Sequence, residues 1–578
     1  GMLNRQQERA VRHGMGPMLV LAGPGSGKTT MIAHRVLRLC REAGVPEEQI
    51  LVLTYTRAAA QEMRSRSLRL LGTENTEISF GTFHSIFWRM LREQGRFCGY
   101  TLLEEPERLR LGMELLGGIG VHRDEIQVQA EEYLKLYEQG HPEKDAGYRE
   151  WSEAYRREKL RRKYLDYEDI LTEAVRMLRD ERIRFCYQRK FRYILVDEFQ
   201  DVNPAQYYAL RLLAGNDANV FAVGDDDQAI YGFRGAVPDI MRRFPEDFPG
   251  CTLISLPLNY RSTRRIVELS GRLISHNKNR YEKKIRAASG EKGKRISRRI
   301  YEAPEEECRE IAELARKENG RLAILFRTRY QAAGLIKVLE DYNLPFQMEG
   351  YAWNPYDHWI GQDIDDYIRA AHGECEAIKR ILNKSYPEIP EGVFSWLPEG
   401  EHAQALLSYS MDMEVRMGLE ELFYQLGKLR KEKPGRGMHR IAAEMGYLKY
   451  LRKKAEHSGI PPWELMRRYD FWQREAEPCK TWQEWEEMRL EKQRTWVSPT
   501  PVLQIMTLHA AKGLEFPTVW IPEIESGSLP HERAADLEEE RRLLYVGCTR
   551  ARERLILSCC KARGGRNTQE SVFWKELL

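Results

Sequence analysis

The sequence predicts an α/β protein with two parallel-sheet cores, each interrupted by a mainly helical insert. Three observations predict it. Strand-type and helix-type runs alternate through residues 3–89 and resume at 190–256, a βαβ pattern that requires parallel pairing. Between 90 and 189 the strand signals vanish, and the chain reads as helical, polar and charge-rich. The same order recurs in the second half. Strand signals at Leu322 to Phe326, Val502 to Met506, Thr518 to Ile521 and Arg554 to Ser558 surround a charged, Trp-rich helical block. The expected division is 1–89 and 190–256 for the first core, 90–189 for its insert, 257–349 and 493–578 for the second core, and 350–492 for its insert.

Composition narrows the function classes. The 578 residues suffice for about three or four domains of ordinary size. Hydrophobic residues make up 42% and charged residues 31%, which suits a globular protein with a solvated surface. The net charge of +4 is small, so affinity for nucleic acid must come from local patches. No run is long and apolar enough to span a bilayer, and there is no signal-peptide core. The ten cysteines show neither a C-x-x-C pair nor zinc spacing, and they read as reduced thiols of a cytoplasmic protein.

The first core opens with an amphipathic helix pattern from Leu3 to Val11. The apolar run Leu19-Val20-Leu21-Ala22 then enters Gly23-Pro24-Gly25-Ser26-Gly27-Lys28-Thr29-Thr30, and a helical pattern from Met31 to Cys40 leaves it. Glycines let successive N–H groups curl toward phosphate oxygens, with a helix N-terminus behind them. Lys28 is placed to neutralise β- and γ-phosphates, and the Thr29 hydroxyl to ligate Mg²⁺. Ala22 stands where the strict G-x-x-x-x-G-K-[ST] pattern has its first glycine.

Strands at Ile50 to Thr54 and Glu77 to Phe80 each lead into a helical pattern. Tyr193-Ile194-Leu195-Val196 ends in Asp197-Glu198, two acids at a strand C-terminus, where parallel sheets bind ligands. Asp197 is expected to hold Mg²⁺ through its water shell, and Glu198 to orient and deprotonate an attacking water. Two acids capping the next helix are the alternative, which a P-loop in the same chain disfavours. The reaction class is ATP or GTP hydrolysis. Strands at Val220 to Val223 and Thr252 to Ser255 complete the core.

Further motifs carry a resemblance. Asp197-Glu198-Phe199-Gln200-Asp201 is followed by Gly224-Asp225-Asp226-Asp227-Gln228-Ala229-Ile230-Tyr231-Gly232-Phe233-Arg234-Gly235-Ala236. Leu3-Asn4-Arg5-Gln6-Gln7 precedes the P-loop, and Thr54 to Met63 and Gly81-Thr82-Phe83-His84 follow it. Leu258-Asn259-Tyr260-Arg261-Ser262-Thr263, Thr507 to Phe516 and Glu538 to Ala551 come later. In this order the set resembles the UvrD/Rep/PcrA group of superfamily 1 DNA helicases. The resemblance runs through both cores, while the inserts match the family in position more than in sequence.

That resemblance implies two RecA-like P-loop NTPase domains and a set of roles. Gln7 would read the adenine edge, favouring ATP over GTP, Tyr260 would stack on the base, and Glu515 would accept from the ribose hydroxyl. Gln228 would sense the γ-phosphate. Arg261 and Arg550 would be arginine fingers, able to reach the γ-phosphate only when the two cores close. Outside this ordered set, each residue alone would read as a surface amide, a core ring or an ion-paired arginine.

The implied strand groove contains Tyr55, Arg57, Phe83, His84, Tyr231, Phe233, Arg234 and His509. Phe233 replaces the family's usual Trp, a smaller stacking surface, and Arg57 stands where Asn is frequent and would add a phosphate contact. For Phe83 core packing is the competing reading. Basic runs at Arg156 to Lys163 and Lys292 to Arg295 are either solvated faces or strand contacts. Relatives carry a Gly-Ile-Gly element in the second insert; the nearest stretch, Leu382 to Gly392, lacks it, which leaves unwinding by an isolated monomer open. The sequence ends at Leu578, shortly after the last motif, and the expectation is that no nuclease domain or partner-docking tail is present. The expected activity is ATP- and Mg²⁺-dependent 3′→5′ movement on single-stranded DNA and at junctions, by a protein monomeric in isolation. A translocase that strips proteins without unwinding, and a nucleotide-switched DNA clamp, are the alternatives.

Overall fold

The structure, a computed structural model, describes residues 2–117, 123–138, 140, 145–217, 219–232, 239–385, 389, 413–499 and 503–578. The chain divides into two compact units. One comprises Gly1–Arg295, Arg533–Glu553 and Lys575–Leu578, the other Ile296–Glu532 and Arg554–Trp574.

The first unit is built on a six-stranded sheet in the order Ser79–Thr82, Ile50–Thr54, Tyr193–Val196, Asn219–Gly224, Met18–Ala22, Thr252–Leu256. Every adjacent pair is parallel. The four inner strands are buried almost throughout because both faces are covered, whereas the edge strands Ser79–Thr82 and Thr252–Leu256 are only partly buried. Met18, Val20 and Ala22 enter one core while Leu19 and Leu21 enter the other, the two-residue period of a strand. Register then decides function. Leu21 pairs with both Gly224 and Ser255, and Leu53 with Val196, so the loops leaving these strands emerge along one edge.

Helix Phe83–Glu93 shows how the covering layer forms. Thr82 caps it in a capping box with Ser85, and Phe83, Ile86, Phe87, Met90 and Leu91 recur at helical spacing on its buried face. The expected insert follows as helices Glu105–Leu116, Arg123–Glu138, Ala146–Arg162, Tyr167–Leu178 and Glu181–Lys190. Its own small core contains Leu111, Tyr133, Tyr148, Trp151 and Tyr155. One expectation fails here. Thr101–Leu102 and Tyr164–Leu165 form a parallel ladder inside the insert, and two residues are too few to leave a periodic signal.

Helix Leu537–Cys548 also belongs to this unit. Arg541 bonds Asn277 Oδ1 at 2.5 Å and Glu576, and Arg542 Nε donates to the Ala229 carbonyl at 2.7 Å.

The second unit carries a seven-stranded sheet in the order Ser297–Tyr301, Ala551–Cys560, Phe516–Ile521, Leu322–Phe326, Leu503–Thr507, Phe346–Met348, Tyr351–Ala352. Leu322–Phe326 is parallel to both of its neighbours. The edge strand Ser297–Tyr301 gave no strand signal because it is polar and buries only Tyr301. Helices of the 350–492 block, among them Trp359–Ala371, Met413–Lys431, Tyr447–Ser458 and Pro462–Ala476, share one apolar core with this sheet. Among the described residues no helix is long and apolar enough to cross a membrane.

Candidate nucleotide and nucleic-acid site

The buried strand Met18–Ala22 delivers the glycine loop to the common edge, and helix Lys28–Arg41 starts from Gly27. Gly25 (φ 62°) and Gly27 (φ 76°) lie in the left-handed region. A Cβ at Gly25 would stand 2.6 Å from Asn259 Oδ1, and one at Gly27 2.7 Å from Gln7 Nε2, so both positions require glycine. Ala22 departs from the strict pattern without consequence, since it is the last buried residue of the strand. Ser26 Oγ is buried in the loop with no hydrogen-bond partner, a donor suited to a phosphate oxygen.

Two other motifs close on this loop. Gln7 Nε2 donates to the Ser26 carbonyl at 2.8 Å, while its Oε1 accepts from Asn4 N–H at 2.9 Å. Tyr260 N–H donates to the Gly25 carbonyl at 2.8 Å, and its hydroxyl accepts from Asn4 Nδ2 at 2.9 Å. The Tyr260 ring itself is 54% exposed, open to stacking. One bond at each end of the Gln7 amide braces the loop, and the second N–H and the second lone pair remain for an adenine edge.

Asp197 and Glu198 leave strand Tyr193–Val196 beside the loop. Lys28 is ion-paired to Glu198 and lies 3.6 Å from Asp197. Burial works against its charge, but these carboxylates outweigh it and hold the ammonium above the ordinary lysine range. Burial pushes the Asp197 carboxyl up. Glu198 has φ 52°, a conformation costly for a residue with a Cβ and often found at functional positions. Gln200, buried, ties this pair to the next strand. Its Nε2 donates to Glu198, and its Oε1 accepts from Asp225 N–H at 3.0 Å.

From strand Asn219–Gly224 the turn continues to Gln228. Gln228 Nε2 donates to Asp225 Oδ2 at 2.8 Å and its Oε1 accepts from Arg550 Nη2 at 3.1 Å. Arg550 is 1% exposed and is held by the Val546 carbonyl and the Thr549 hydroxyl. Arg261 Nη1 donates to the Thr549 carbonyl at 3.1 Å. Burial, then the Arg261 charge beside it, lowers the Arg550 guanidinium to about 9, while Glu198 acts in the opposite sense. Two neighbouring guanidiniums of this kind favour an anion. Both arginines belong to the first unit, and Arg550 touches Gln228.

The expected strand-groove residues separate into several groups. Tyr55 and Tyr231 stack on each other, with ring centroids 5.3 Å apart and planes at 11°. His84 packs on Tyr167 at 4.7 Å, and burial pushes it down to about 4, so it is a neutral ring at physiological pH. Phe83 corrects the expectation of base stacking. At 5% exposure it lies in the core against Phe87, as the first buried residue of its helix. Arg57 is exposed but paired with Glu104 at 2.7 Å. Within the basic run 156–163, Lys159 is buried on Asp166 and Asp169, and Arg161 and Arg162 pair with Glu158. Phe233 and Arg234 lie outside the described residues, as does most of the Leu382 to Gly392 stretch. His509, in the turn after strand Leu503–Thr507, and the exposed Glu515 belong to the second unit.

Comparison with known proteins gives the family. The UvrD/REP helicase N-terminal domain family matches residues 3–249, and the UvrD-like helicase C-terminal domain family matches 254–494 and 485–562. The chain belongs to the UvrD/Rep family of DNA helicases. It is 31% identical to a putative ATP-dependent DNA helicase, YjcD, of Bacillus subtilis (strain 168), across all of this chain and 81% of that protein. It is 29% identical to the ATP-dependent DNA helicase Rep of Escherichia coli (strain K12), over 97% of this chain and 91% of Rep. Identity to the ATP-dependent DNA helicase PcrA of Staphylococcus epidermidis is 29%, over 100% of this chain and 86% of PcrA.

Several residues of this helicase site escaped the sequence reading. Gln200 lies inside a recognised motif, and that position was its only signal. Asn4, Asn259 and Thr549 act through hydrogen bonds that no local pattern announces.

Proposed function

We propose that this helicase hydrolyses ATP at the C-terminal edge of its first sheet and uses the cycle to move 3′→5′ along single-stranded DNA, parting duplex at junctions. One observation carries the reading. Lys28, Glu198, Gln200, Asp225, Gln228 and Arg550 form a continuous relay, each linked to the next by an ion pair or hydrogen bond.

The chemistry follows from who competes for Lys28. Phosphate oxygens of ATP draw the ammonium away from Glu198, whose carboxylate then accepts a proton from the attacking water. The water oxygen bonds to the γ-phosphorus, the bond to the bridging oxygen breaks, and ADP leaves with that electron pair. Arg261 and Arg550 meet charge developing on the transferring phosphoryl group. Asp197, a buried carboxylate already facing a cation, and the Thr29 hydroxyl are the residues that would hold Mg²⁺, which supplies neutralisation of phosphate charge. The backbone of Ala22 to Thr30 would cradle the phosphates, and Tyr260 would stack on the base.

Coupling to DNA rests on proximity in sequence. Tyr231 lies on the segment that follows Gln228, so the phosphate sensor and a stacking ring share one loop. Tyr55, Tyr231, Phe233 and His84 would contact bases, and Arg57, Arg234 and His509 the strand. Polarity is carried over from the family. The proposed division remains 1–89 with 190–256, 90–189, 257–349 with 493–578, and 350–492. The ten free thiols fit a cytoplasmic protein working in DNA repair, replication or recombination.

Strand displacement on 3′-tailed and 5′-tailed duplexes tests the reading. Displacement of the 3′-tailed substrate alone is expected, and preference for a 5′ tail would reverse the polarity. ATP-driven movement with no displacement would favour the protein-stripping translocase, the reading suggested by the missing Gly-Ile-Gly element.

A further inference from the structure

A densely charged buried cluster stands beside Gln228. Asp225, Asp226 and Asp227 are all buried, and one carboxylate oxygen from each lies within 4.8 Å of the others. Such a triplet could suggest a divalent cation, but an ammonium takes that place. The Lys283 side chain is 1% exposed, with Nζ 3.5 Å from Asp225, 3.1 Å from Asp227 and in closer contact with Asp226. Arg280 closes the cluster with a two-pronged contact to Asp227 at 2.9 and 2.8 Å, and Tyr281 N–H donates to Asp226 at 2.6 Å. A lysine suits the position, because a compact ammonium with three donors can face three carboxylates where a planar guanidinium cannot.

We propose that Lys283 is a positioning residue for ATP hydrolysis, holding the Asp225-to-Gln228 turn so that Gln228 meets Arg550. This rests on the helicase reading above. Asp225 is the hinge of the argument. It accepts from Gln228 Nε2 through Oδ2 while Lys283 lies nearest its Oδ1, so one carboxylate connects the lysine to the sensor. Without the ammonium, three buried carboxylates would face only Arg280 directly, with Arg550 beyond Gln228, and their mutual repulsion would spread the turn. Gln228 would then lose its alignment, although the contacts of Lys283 are with the three aspartates and the Tyr281 carbonyl. Misplacement of a catalytic group by an ångström costs on the order of 10² in rate.

The test is a double-mutant cycle between Lys283→Met and Gln228→Ala, read as steady-state ATPase with single-stranded DNA. Lys283→Met is expected to lower kcat by roughly 10- to 100-fold with KM for ATP nearly unchanged. In the Gln228→Ala background the same change should have almost no further effect, because the group it positions is gone. Since Lys283→Met leaves charge unbalanced, Lys283→Met/Asp226→Asn repeats the cycle with one cation and one anion removed together. Recovery of thermal stability without recovery of kcat is expected. Recovery of both, multiplying effects in the cycle, or failure of both variants to fold would place Lys283 in stability alone and overturn the proposal. A wild-type protein without DNA-stimulated turnover would instead overturn the helicase reading, and this proposal with it.

Discussion

Arg550 donates to Gln228 Oε1 at 3.1 Å, with both side chains buried, although 322 residues separate them in sequence. The guanidinium is therefore set against the proposed phosphate sensor, in a place where burial and Arg261 both disfavour its charge. An anion developing nearby would relieve that disfavour, which is the energetic signature of a group that acts on the transition state. Arg550→Ala is expected to lose about 10³–10⁵ in turnover while ATP and single-stranded DNA still bind. Nucleotide affinity, DNA affinity and ATPase measured on one preparation check this. Equal losses of affinity and turnover would place Arg550 in ground-state binding.

The Arg57–Glu104 pair makes a prediction opposite in sign to the usual alanine scan. It is exposed, so it contributes little to stability, and its effect is to occupy an arginine in the proposed strand groove. Arg57→Ala should flatten the salt dependence of strand binding by about 0.7 in slope, one phosphate contact. Glu104→Ala should instead tighten binding at low salt. Weaker binding from Glu104→Ala would show that the pair does not compete with DNA.

Phe83 and Tyr231 both lie in motifs expected to grip bases, yet their surroundings differ. Phe83→Ala removes a core ring and is expected to cost about 3–5 kcal/mol of stability, with strand affinity of the folded protein preserved. Tyr231→Ala should weaken binding by about 1–3 kcal/mol with little change in melting temperature. Denaturant melts alongside DNA titrations separate the two, and exchanged phenotypes would refute this assignment.

Much of this was legible before any coordinates. The run Leu19 to Ala22 followed by glycines read as a strand entering a phosphate-type loop, and Tyr193 to Glu198 carried its acids to the same edge. What stayed hidden depends on distance along the chain. Nothing in Arg280-Tyr281-Glu282-Lys283 distinguishes a buried lysine from a surface one, because its partners Asp225, Asp226 and Asp227 lie more than 50 residues away. Glu104 is likewise 47 residues from Arg57. Phe83 could not be resolved because the first residue of a helix can face either the core or the solvent. The packing of helix Leu537–Cys548 was hidden in the same way, because its partners Asn277 and Ala229 lie more than 250 residues earlier.

Glu307 makes a pH-dependent prediction in the second unit. Burial pushes its carboxyl up to about 7, while the Ser558 hydroxyl at 2.7 Å and Arg563 favour the charged form. An unfolded glutamate titrates near about 4.3, so the folded state holds the proton more tightly. Its contribution to stability is fully present below that value and is lost as pH rises through 7. Glu307→Gln keeps the hydrogen bond without the charge. It should raise the melting temperature more at about pH 8 than at about pH 5, either side of the shifted titration. A gain equal at both would contradict the burial argument.

Steady-state ATPase of the wild type and Glu198→Gln, each with and without single-stranded DNA, tests the central claim most directly. Wild-type turnover should rise strongly with DNA, because the sensor Gln228 and the ring of Tyr231 belong to one segment. Glu198→Gln should bind ATP and remain inactive under both conditions, since it keeps the fold but cannot accept the proton of the attacking water. Fast turnover indifferent to DNA, or normal cycling by Glu198→Gln, would contradict the account.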